Sequence, residues 1–444
     1  MKLWDKGFDT DKFIEEFTVG RDRELDIFLA LWDVLGSLAH IRMLESIDLL
    51  TKEEYEVLSA ELRNIYAEIE RGEFVIEDGV EDVHSQVELL LTRRLGDMGK
   101  KIHSGRSRND QVLVDIKLLL RDRIRGLVEG VERLFDTLQR RSEECKDVLL
   151  PGYTHLQVAM PSSFGLWFGA YAEGLVDDLS MLYGAYCGVN RNPLGSAAGY
   201  GSSYPLDRTK TTKLLGFESM NYNVVSAQMS RGKAERNVAY AISAVAATVG
   251  RFAMDACLYN SQNFGFVRLP QECTTGSSIM PHKKNPDVFE LIRGKCNMLQ
   301  ATSQQIGSVM TNLPSGYFRD MQLIKEIILP ALDMMDDVLR MTEYIAARIE
   351  VNPEAAAEEK YDAMFSVERV NQLVQQGVPF RDAYKQVGAE IADGSFVADR
   401  AVAHTHEGSI GNLCNKEIAE LMKKRINEFD FSTADKAIAK LLGR

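Results

Sequence analysis

Residues 276–287 read Gly-Ser-Ser-Ile-Met-Pro-His-Lys-Lys-Asn-Pro-Asp and concentrate hydroxyl, amine and amide groups in one short segment. Ser277 and Ser278 supply the hydroxyls, and Lys283 and Asn285 supply hydrogen-bond donors. A loop of this composition could close over a carboxylate and exclude water from it. A solvated basic turn would have the same composition, so this segment alone leaves both interpretations open.

Residues 104–111 form a second polar segment, which precedes a long amphipathic helical pattern. The segment holds two serines, two arginines and an asparagine, and it lies where a helix begins. Unpaired backbone N–H groups and the helix dipole make such a helix start a natural site for an anion. Ser107 or Asn109 could instead act as the N-cap. Both roles are compatible, but two arginines within three residues exceed what a cap requires.

Two further loops carry polar groups with weaker signals. Residues 151–157 place His155 beside a hydroxyl and an amide, and histidine is the side chain best suited to proton transfer near neutral pH. From that segment alone, a structural histidine is the preferred interpretation. Residues 315–322 combine polar and charged groups, and Lys325 follows one helical turn later. By itself, this last pattern assigns no chemistry.

Long helices are predicted to position these loops. Residues 1–150 contain no proline, which leaves room for uninterrupted helices. Apolar residues recur every three or four positions over residues 110–138, the pattern of an amphipathic helix. Residues 238–258 are apolar on all faces, which predicts a helix at the centre of a bundle and in contact with neighbouring subunits. Residues 323–349 predict another long helix, kinked at Pro330.

The remaining segments predict loops and a small C-terminal unit. Pro286 is predicted to begin a helix that carries Glu290. The last 85 or so residues show short helical patterns broken by proline and glycine, which indicates a small separate domain. The five segments predicted as loops between long helices are 101–110, 151–161, 190–206, 269–287 and 313–321.

The overall composition excludes several classes of protein. The chain has 444 residues and a net charge of −13, so it lacks the basic footprint of a nucleic-acid-binding protein. Its six cysteines are scattered without a CxxC pair, which favours a reducing compartment over a zinc site or a disulfide framework. The first residues show no signal peptide, and the apolar run 238–249 is too short to span a bilayer. We therefore predict a cytoplasmic protein without a membrane span.

Taken together, the four polar segments resemble the aspartase/fumarase superfamily. Residues 276–286 are similar to its signature, whereas residues 105–111 and 152–157 resemble the argininosuccinate lyase family within it. The resemblance implies an all-α subunit of three domains, at 1–106, 107–358 and 359–444, with a central bundle of long helices. It also implies a homotetramer with a twenty-helix core and active sites shared between subunits.

The resemblance implies a reaction as well: reversible β-elimination of argininosuccinate to arginine and fumarate, in arginine biosynthesis, without a metal or coenzyme. By family position, Ser277 would be the general base, and His155, oriented by Glu290, would be the acid or would align a water. Lys283 and Asn285 would stabilise the developing charge. The implied substrate-binding residues are Ser107, Arg108, Asn109, Thr154 and Ser278 for the succinyl part and Tyr317, Gln322 and Lys325 for the arginine part. Gln157 is also implied to bind substrate, and His84 to lie near the site.

Four departures from the family pattern keep alternatives open. His282 stands where argininosuccinate lyases commonly have glutamine, and adenylosuccinate lyases have Met-Pro-His-Lys there. Residues 5–8 and 17–22 differ from the usual N-terminal pattern, and residues 228–237 align poorly, so contacts to the distal end of the substrate are open. The alternatives are another fumarate-releasing lyase, such as an adenylosuccinate lyase, and an inactive structural scaffold on the same fold.

Overall fold

The computed structural model describes residues 12–444, and helices dominate this part of the chain. This confirms the predicted all-α class. The departure at residues 5–8 lies outside the described residues. The helices are α1 Lys12–Val19, α2 Asp22–Asp26, α3 Ala30–Ser46, α4 Lys52–Glu70, α5 Val83–Leu95, α6 Asp97–Lys100, α7 Arg108–Glu144, α8 Phe164–Val189, α9 Arg208–Leu214, α10 Val224–Met229, α11 Lys233–Asn260, α12 Asp287–Met310, α13 Leu323–Ala346, α14 Ser366–Gln375, α15 Phe380–Ala392, α16 Asn415–Ile426 and α17 Phe431–Leu442.

Short strands and 3-10 helices connect these helices. The strands form three two-stranded pairs, of which β1–β2 and β5–β6 are antiparallel and β3–β4 is parallel. Their bounds are β1 Leu149–Thr154, β2 Gln157–Ser163, β3 Arg191–Asn192, β4 Ser219–Met220, β5 Val267–Arg268 and β6 Glu350–Val351. The 3-10 helices span Ile27–Leu29, Lys101–His103, Gln271–Cys273, Arg319–Gln322 and Glu359–Phe365.

A bundle of five long helices, α7, α8, α11, α12 and α13, forms the centre of the molecule. Helix α7 is the longest, at 37 residues, and contains the whole stretch 110–138 that the apolar spacing predicted. Its inward stripe includes Leu113, Leu120 and Leu127, each at most 2% exposed. Burial of such a stripe stabilises a helix bundle by about 25 cal/mol for each Å² of apolar surface removed from water.

Helices α11 and α13 also follow their predicted extents. Helix α11 covers residues 233–260 and packs against α8, α12 and α13, so the predicted central helix is confirmed. Helix α13 runs without interruption past Pro330 and ends at Ala346, three residues before the predicted end. The proline removes one backbone donor from the helix but does not stop it.

The prediction of a loop over residues 151–161 is wrong in part, because most of this segment belongs to the β1–β2 hairpin. Thr154 pairs with Gln157, which leaves His155 and Leu156 as the two central residues of the turn. The glycine and proline that indicated a loop lie in the hairpin, where a register irregularity between Pro151 and Tyr153 accommodates them.

The C-terminal residues divide into two parts. Helices α14 and α15 enclose a small core of their own, made of Val370, Leu373, Ala383 and Val387. Helices α16 and α17 instead pack against the long helices, α16 on α8 and α17 on α3. The predicted domain boundaries after residues 106 and 358 stay predictions.

Two apolar helical segments, residues 16–46 and 233–260, are long enough to cross a membrane by length and composition alone. The second one contains the run 238–249 and extends beyond it at both ends, so the helix is longer than the apolar run from which the sequence predicts no membrane span. In the folded chain, 72% and 50% of their most apolar windows are buried. Buried core helices meet the same criterion, so these segments are weak evidence for a membrane span.

Candidate active site

A cavity of about 500 Å³ opens where the start of α7 meets the start of α13 and the segment before α5. Seven of the predicted substrate-binding residues line it: His84, Ser107, Arg108, Asn109, Tyr317, Gln322 and Lys325. Side chains that the sequence analysis did not single out complete the wall: Asp26, Glu81, Asp82, His103, Arg106, Val112, Arg231 and Arg319. The fold therefore assembles charged groups of both signs around one opening.

Ser107 both caps α7 and lines the cavity, so the two interpretations of this residue hold together. Its Oγ accepts a hydrogen bond from the backbone N–H of Asn109 at 3.3 Å. Asp110 completes a capping box, and its second carboxylate oxygen accepts from the N–H groups of Gly195 and Ala197 at 2.9 and 3.0 Å. Burial raises the pKa of Asp110 to about 6. This carboxyl group fixes the helix start against the loop 190–206.

Acidic partners pair with two of the cavity arginines. Nη1 of Arg108 donates to Glu81 Oε2 and to Asp82 Oδ2, both at 2.8 Å. Nη2 of Arg319 donates to the other oxygen of Glu81 at 3.0 Å, and its Nε donates to Thr18 O at 3.1 Å. The divergent segment 17–22 thus contributes to the rim of the cavity.

Lys325 is buried, with 3% of its surface exposed, and it pairs with two carboxylates. Its Nζ lies 2.7 Å from Asp22 Oδ1 and forms a short hydrogen bond with Asp26. Burial alone would lower the pKa of Lys325, but Asp26 and Asp22 raise it above its ordinary value. The ammonium group therefore stays charged while its charge is already balanced.

His84 is held in a buried network with Asp33 and Asp115. Its Nδ1 lies 2.7 Å from Asp33 Oδ1 and 3.5 Å from Asp115 Oδ2. Burial alone would lower the pKa of His84, but Asp33 opposes this and the pKa rises to about 9. The three side chains bring possible metal ligands within 4.8 Å of one another. A protonated imidazole cannot coordinate a cation, so we assign the cluster as an ion network.

The stability of the protein should depend on pH through His84. An unfolded histidine titrates near pH 6.5, so the contribution of the network is complete below that pH and is lost as the pH rises through about 9. We expect the free energy of unfolding to fall by on the order of 3 kcal/mol from this group between neutral pH and about pH 10. Chemical unfolding across this range, compared with a His84→Gln variant, measures it. Parallel curves for the two proteins would contradict the assignment.

The β1–β2 turn presents His155 on the surface. His155 and Leu156 have φ angles of +54° and +57°, which type I′ turns require and which residues with a Cβ seldom adopt. Thr154, His155 and Gln157 are exposed, and Leu156 is 74% exposed. An apolar side chain held outward in strained backbone is typical of a functional contact rather than of a stable surface turn.

The loop that contains Ser277 is closed at its base and protrudes from the fold. Thr275 and Asn285 form an antiparallel bridge, in which Asn285 N donates to Thr275 O at 2.8 Å. Within the loop, Ser277 Oγ accepts from the N–H groups of Ile279 and Met280 at 3.4 and 3.2 Å. Ile279 at its tip is 83% exposed. The backbone therefore directs two donors at the predicted base.

The predicted catalytic residues Lys283 and Asn285 lie on the same loop, with Lys283 exposed and Asn285 half-buried. The predicted substrate-binding residue Ser278 and the divergent residue His282 are exposed as well. Helix α12 begins at Asp287, so Pro286 stands at the N-cap, one position before the first helical residue that the sequence predicted for it. Glu290 lies in the first turn of α12 and is exposed. Over residues 12–444, no hydrogen bond joins Glu290 to His155.

Within a single subunit, the predicted site residues therefore fall into two groups, one that lines the cavity and one that does not. The cavity brings together the seven residues named above. It does not include Thr154, His155, Gln157, Ser277, Ser278, Lys283, Asn285 or Glu290. The roles of all these residues stay predictions.

Sequence reasoning missed the acidic residues and two arginines of the cavity. Asp22 and Asp26 are four residues apart and face Lys325 together, a spacing that places both on one helical face. Arg231 lies within the poorly aligned segment 228–237, where an Arg and a Glu four residues apart were the available signal. Arg319 lay inside a segment that had been judged weak.

Comparisons with known proteins define the class of enzyme. A family model described as "Lyase" matches residues 6–300. A crystal structure of EDDS lyase in complex with formate is similar with a TM-score of 0.78, covers 98% of this chain and 95% of its own, and is 20% identical. Fumarate lyase:delta crystallin from Brucella melitensis, with a TM-score of 0.71, covers 93% of this chain and 95% of its own at 19% identity. At these identities, the structures show a shared fold of lyases.

Curated relatives narrow the class. The argininosuccinate lyase of Bacteroides thetaiotaomicron is 65% identical over 443 residues, which cover 100% of this chain and 99% of the relative. The argininosuccinate lyase of Thermotoga neapolitana is 38% identical over 386 residues, which cover 87% of this chain and 97% of the relative. The chain therefore belongs to the argininosuccinate lyase family. The predicted family and the predicted lyase class of enzyme are confirmed.

Proposed function

We propose that this protein catalyses the reversible elimination of fumarate from argininosuccinate, with arginine as the other product, as a step of arginine biosynthesis. The observation that carries the proposal is the identity of 65% over the full chain with a relative named argininosuccinate lyase. The cavity supports it, because side chains of both charges line it, and the substrate carries carboxylates together with a guanidino group.

Ser277 is the proposed general base. The proton to be removed lies next to a carboxylate and is weakly acidic, and a serine hydroxyl is too basic as its conjugate to be ionised at rest. The N–H groups of Ile279 and Met280 both donate to Ser277 Oγ and therefore stabilise negative charge on it. Closure of the loop removes water and strengthens these interactions.

Removal of this proton leaves a second negative charge on the neighbouring carboxylate, and Lys283 and Asn285 are proposed to stabilise the resulting dianion. Donors fixed before the reaction are most effective where charge develops, because they cost no reorganisation in the transition state. The Thr275–Asn285 bridge fixes the backbone at one end of this group. His155, oriented by Glu290, would then protonate the leaving guanidino nitrogen or align a water that does so.

The remaining residues hold the two ends of the substrate. Ser107, Arg108, Asn109, Thr154 and Ser278 would bind the succinyl carboxylates, and Tyr317, Gln322 and Lys325 would hold the arginine part. Gln157 is a further proposed substrate contact. His84 lies beside the cavity, where Asp33 balances the charge of its protonated imidazole. These groups provide the base, the acid and the anion stabilisation, and the proposed mechanism uses neither a metal nor a coenzyme.

We further propose a homotetramer with a twenty-helix core and active sites made from three subunits. The proposed catalytic groups Ser277, Lys283 and His155 do not line the cavity of their own chain, which supports their supply by neighbouring subunits. Helices α11 and α12 also present exposed apolar side chains at intervals of seven or fourteen residues, which lie on one helical face. They are Tyr240, Met254, Leu291 and Met298. The proposed location is the cytoplasm, in keeping with six free cysteines.

Release of fumarate tests the function directly. We expect the purified protein to release fumarate from argininosuccinate, which is measured as a rise in ultraviolet absorbance. Release from adenylosuccinate should be far slower. His282 motivates the second substrate, since adenylosuccinate lyases have Met-Pro-His-Lys at this point. Preference for adenylosuccinate would overturn the proposal in favour of that sister lyase. Absence of fumarate with both substrates would favour the inactive scaffold.

A further inference from the structure

Most cations that line the cavity beside Tyr317 are already paired with acids. Lys325 contacts both Asp22 and Asp26, so this group of three carries a net negative charge when all are ionised. Arg319 donates to Glu81. The arginine part of the substrate ends in an α-carboxylate, which a lysine held between two carboxylates attracts weakly. A cation that keeps a donor free of acidic partners would hold this carboxylate better.

Arg231 has the geometry of such a cation. The side chain lines the cavity and is only 2% exposed. Its Nη2 donates to Met321 O at 3.0 Å, and its Nε lies 3.0 Å from Glu235 Oε1. Nη1 is buried and has no hydrogen-bond partner among residues 12–444. A buried donor without a partner costs about 1–3 kcal/mol, or more when the group is charged, and a ligand that accepts from it recovers this energy.

The backbone around Arg231 is shaped to hold it there. Gly232 has a φ of +76°, and a Cβ at this position would meet Met310 Sδ at 2.8 Å, so glycine is required. The N–H of Gly232 donates to Glu235 Oε2 at 2.7 Å. The carboxylate of Glu235 thus contacts both the backbone beside Arg231 and its guanidinium. Burial raises the pKa of Tyr317 and of Asp22, and the positive charge of the nearby Arg231 opposes this rise at both groups.

We propose that Arg231 is a specificity-determining residue that binds the α-carboxylate of the arginine part of the substrate. This inference rests on the proposed function and names the group that selects arginine at that site. A guanidinium matches a carboxylate in planar geometry, which a lysine cannot do. Arg231 therefore selects arginine over amines that carry a guanidino group without the carboxylate.

The reverse reaction tests this role with two probes. Arginine and agmatine share the guanidino group and the amine, but agmatine lacks the carboxylate. We expect the native enzyme to add arginine to fumarate with a kcat/KM about 100-fold above that for agmatine, and Arg231→Gln to lose most of this preference. The loss should appear as a higher KM for arginine with little change in kcat.

A matched control removes a positive charge two residues away. Lys233 is exposed and does not line the cavity, so Lys233→Gln should keep the native preference. An unchanged preference in Arg231→Gln, or an equal loss for both probes, would overturn the inference, since equal loss is the mark of a structural role. If that variant fails to assemble, Arg231→Lys serves instead, because it keeps the charge and loses the planar contact.

Binding measurements separate this inference from the proposed function. If the native protein releases no fumarate from argininosuccinate, the proposed function fails. Calorimetric titration of the native protein with arginine and with agmatine then decides the role of Arg231. Equal affinity for the two probes would overturn it, and tighter binding of arginine that Arg231→Gln abolishes would support it.

Discussion

Replacement of Ser277 by alanine should lower kcat for fumarate release by about 10³-fold, the typical contribution of a positioned general base. The hydroxyl oxygen accepts two backbone hydrogen bonds within the loop, and alanine offers no atom at that position that can take the proton. Because most of the loop is exposed, we expect the melting temperature to stay within about 1–2 °C of the native value. Initial rates of fumarate formation and a thermal melt provide both measurements.

Ser278→Ala is the matched control for this experiment. It removes the neighbouring hydroxyl from the same exposed loop, and Ser278 accepts no hydrogen bond from the loop amides. Since its proposed role is to bind a carboxylate, we expect mainly a higher KM, with kcat reduced far less than in Ser277→Ala. Near-native kcat in Ser277→Ala, or a greater loss of kcat in Ser278→Ala, would show that the base has been assigned to the wrong residue.

The long helices could be predicted from the sequence because their spacing is a local property. The apolar residues of 110–138 recur at three- and four-residue steps, and the structure forms a helix over that entire range. The β1–β2 hairpin could not be predicted in the same way. Its strands contain proline and glycine, and its turn places His155 and Leu156 in a backbone conformation that is usually occupied by glycine or asparagine.

The part of the candidate site that lies in one short segment could also be predicted from the sequence. Ser107, Arg108 and Asn109 form a contiguous group whose position at a helix start follows from the sequence. Asp26 and Arg231 reach the same cavity from positions about two hundred residues apart, and only the fold brings them together. The ionisation of His84 depends equally on distant partners, because Asp33 and Asp115 come from two other helices. Local sequence patterns therefore could not predict the features of the site that depend on charge pairs between residues distant in the sequence.

The division of the proposed site within one subunit leads to a prediction about mixed assemblies. Ser277→Ala and His155→Asn should each be nearly inactive alone, since one removes the base and the other the acid. If two different subunits supply these two groups to one site, random mixing creates some sites with a native Ser277 and a native His155. Each condition holds with even odds, so we expect about a quarter of the native activity after the two variants are refolded together.

The pair Ser277→Ala and Lys283→Met is the matched control for this rescue. Both residues lie on one loop between Thr275 and Asn285, so each active site receives them from the same subunit. Every mixed assembly then lacks one of the two groups in every site, and activity should stay near that of the single variants. Rescue of the first pair without rescue of the second would support a site shared between subunits. Absence of rescue in the first pair, in assemblies verified to contain both variants, would show that one subunit supplies both Ser277 and His155 to each site and would contradict the proposed three-subunit site.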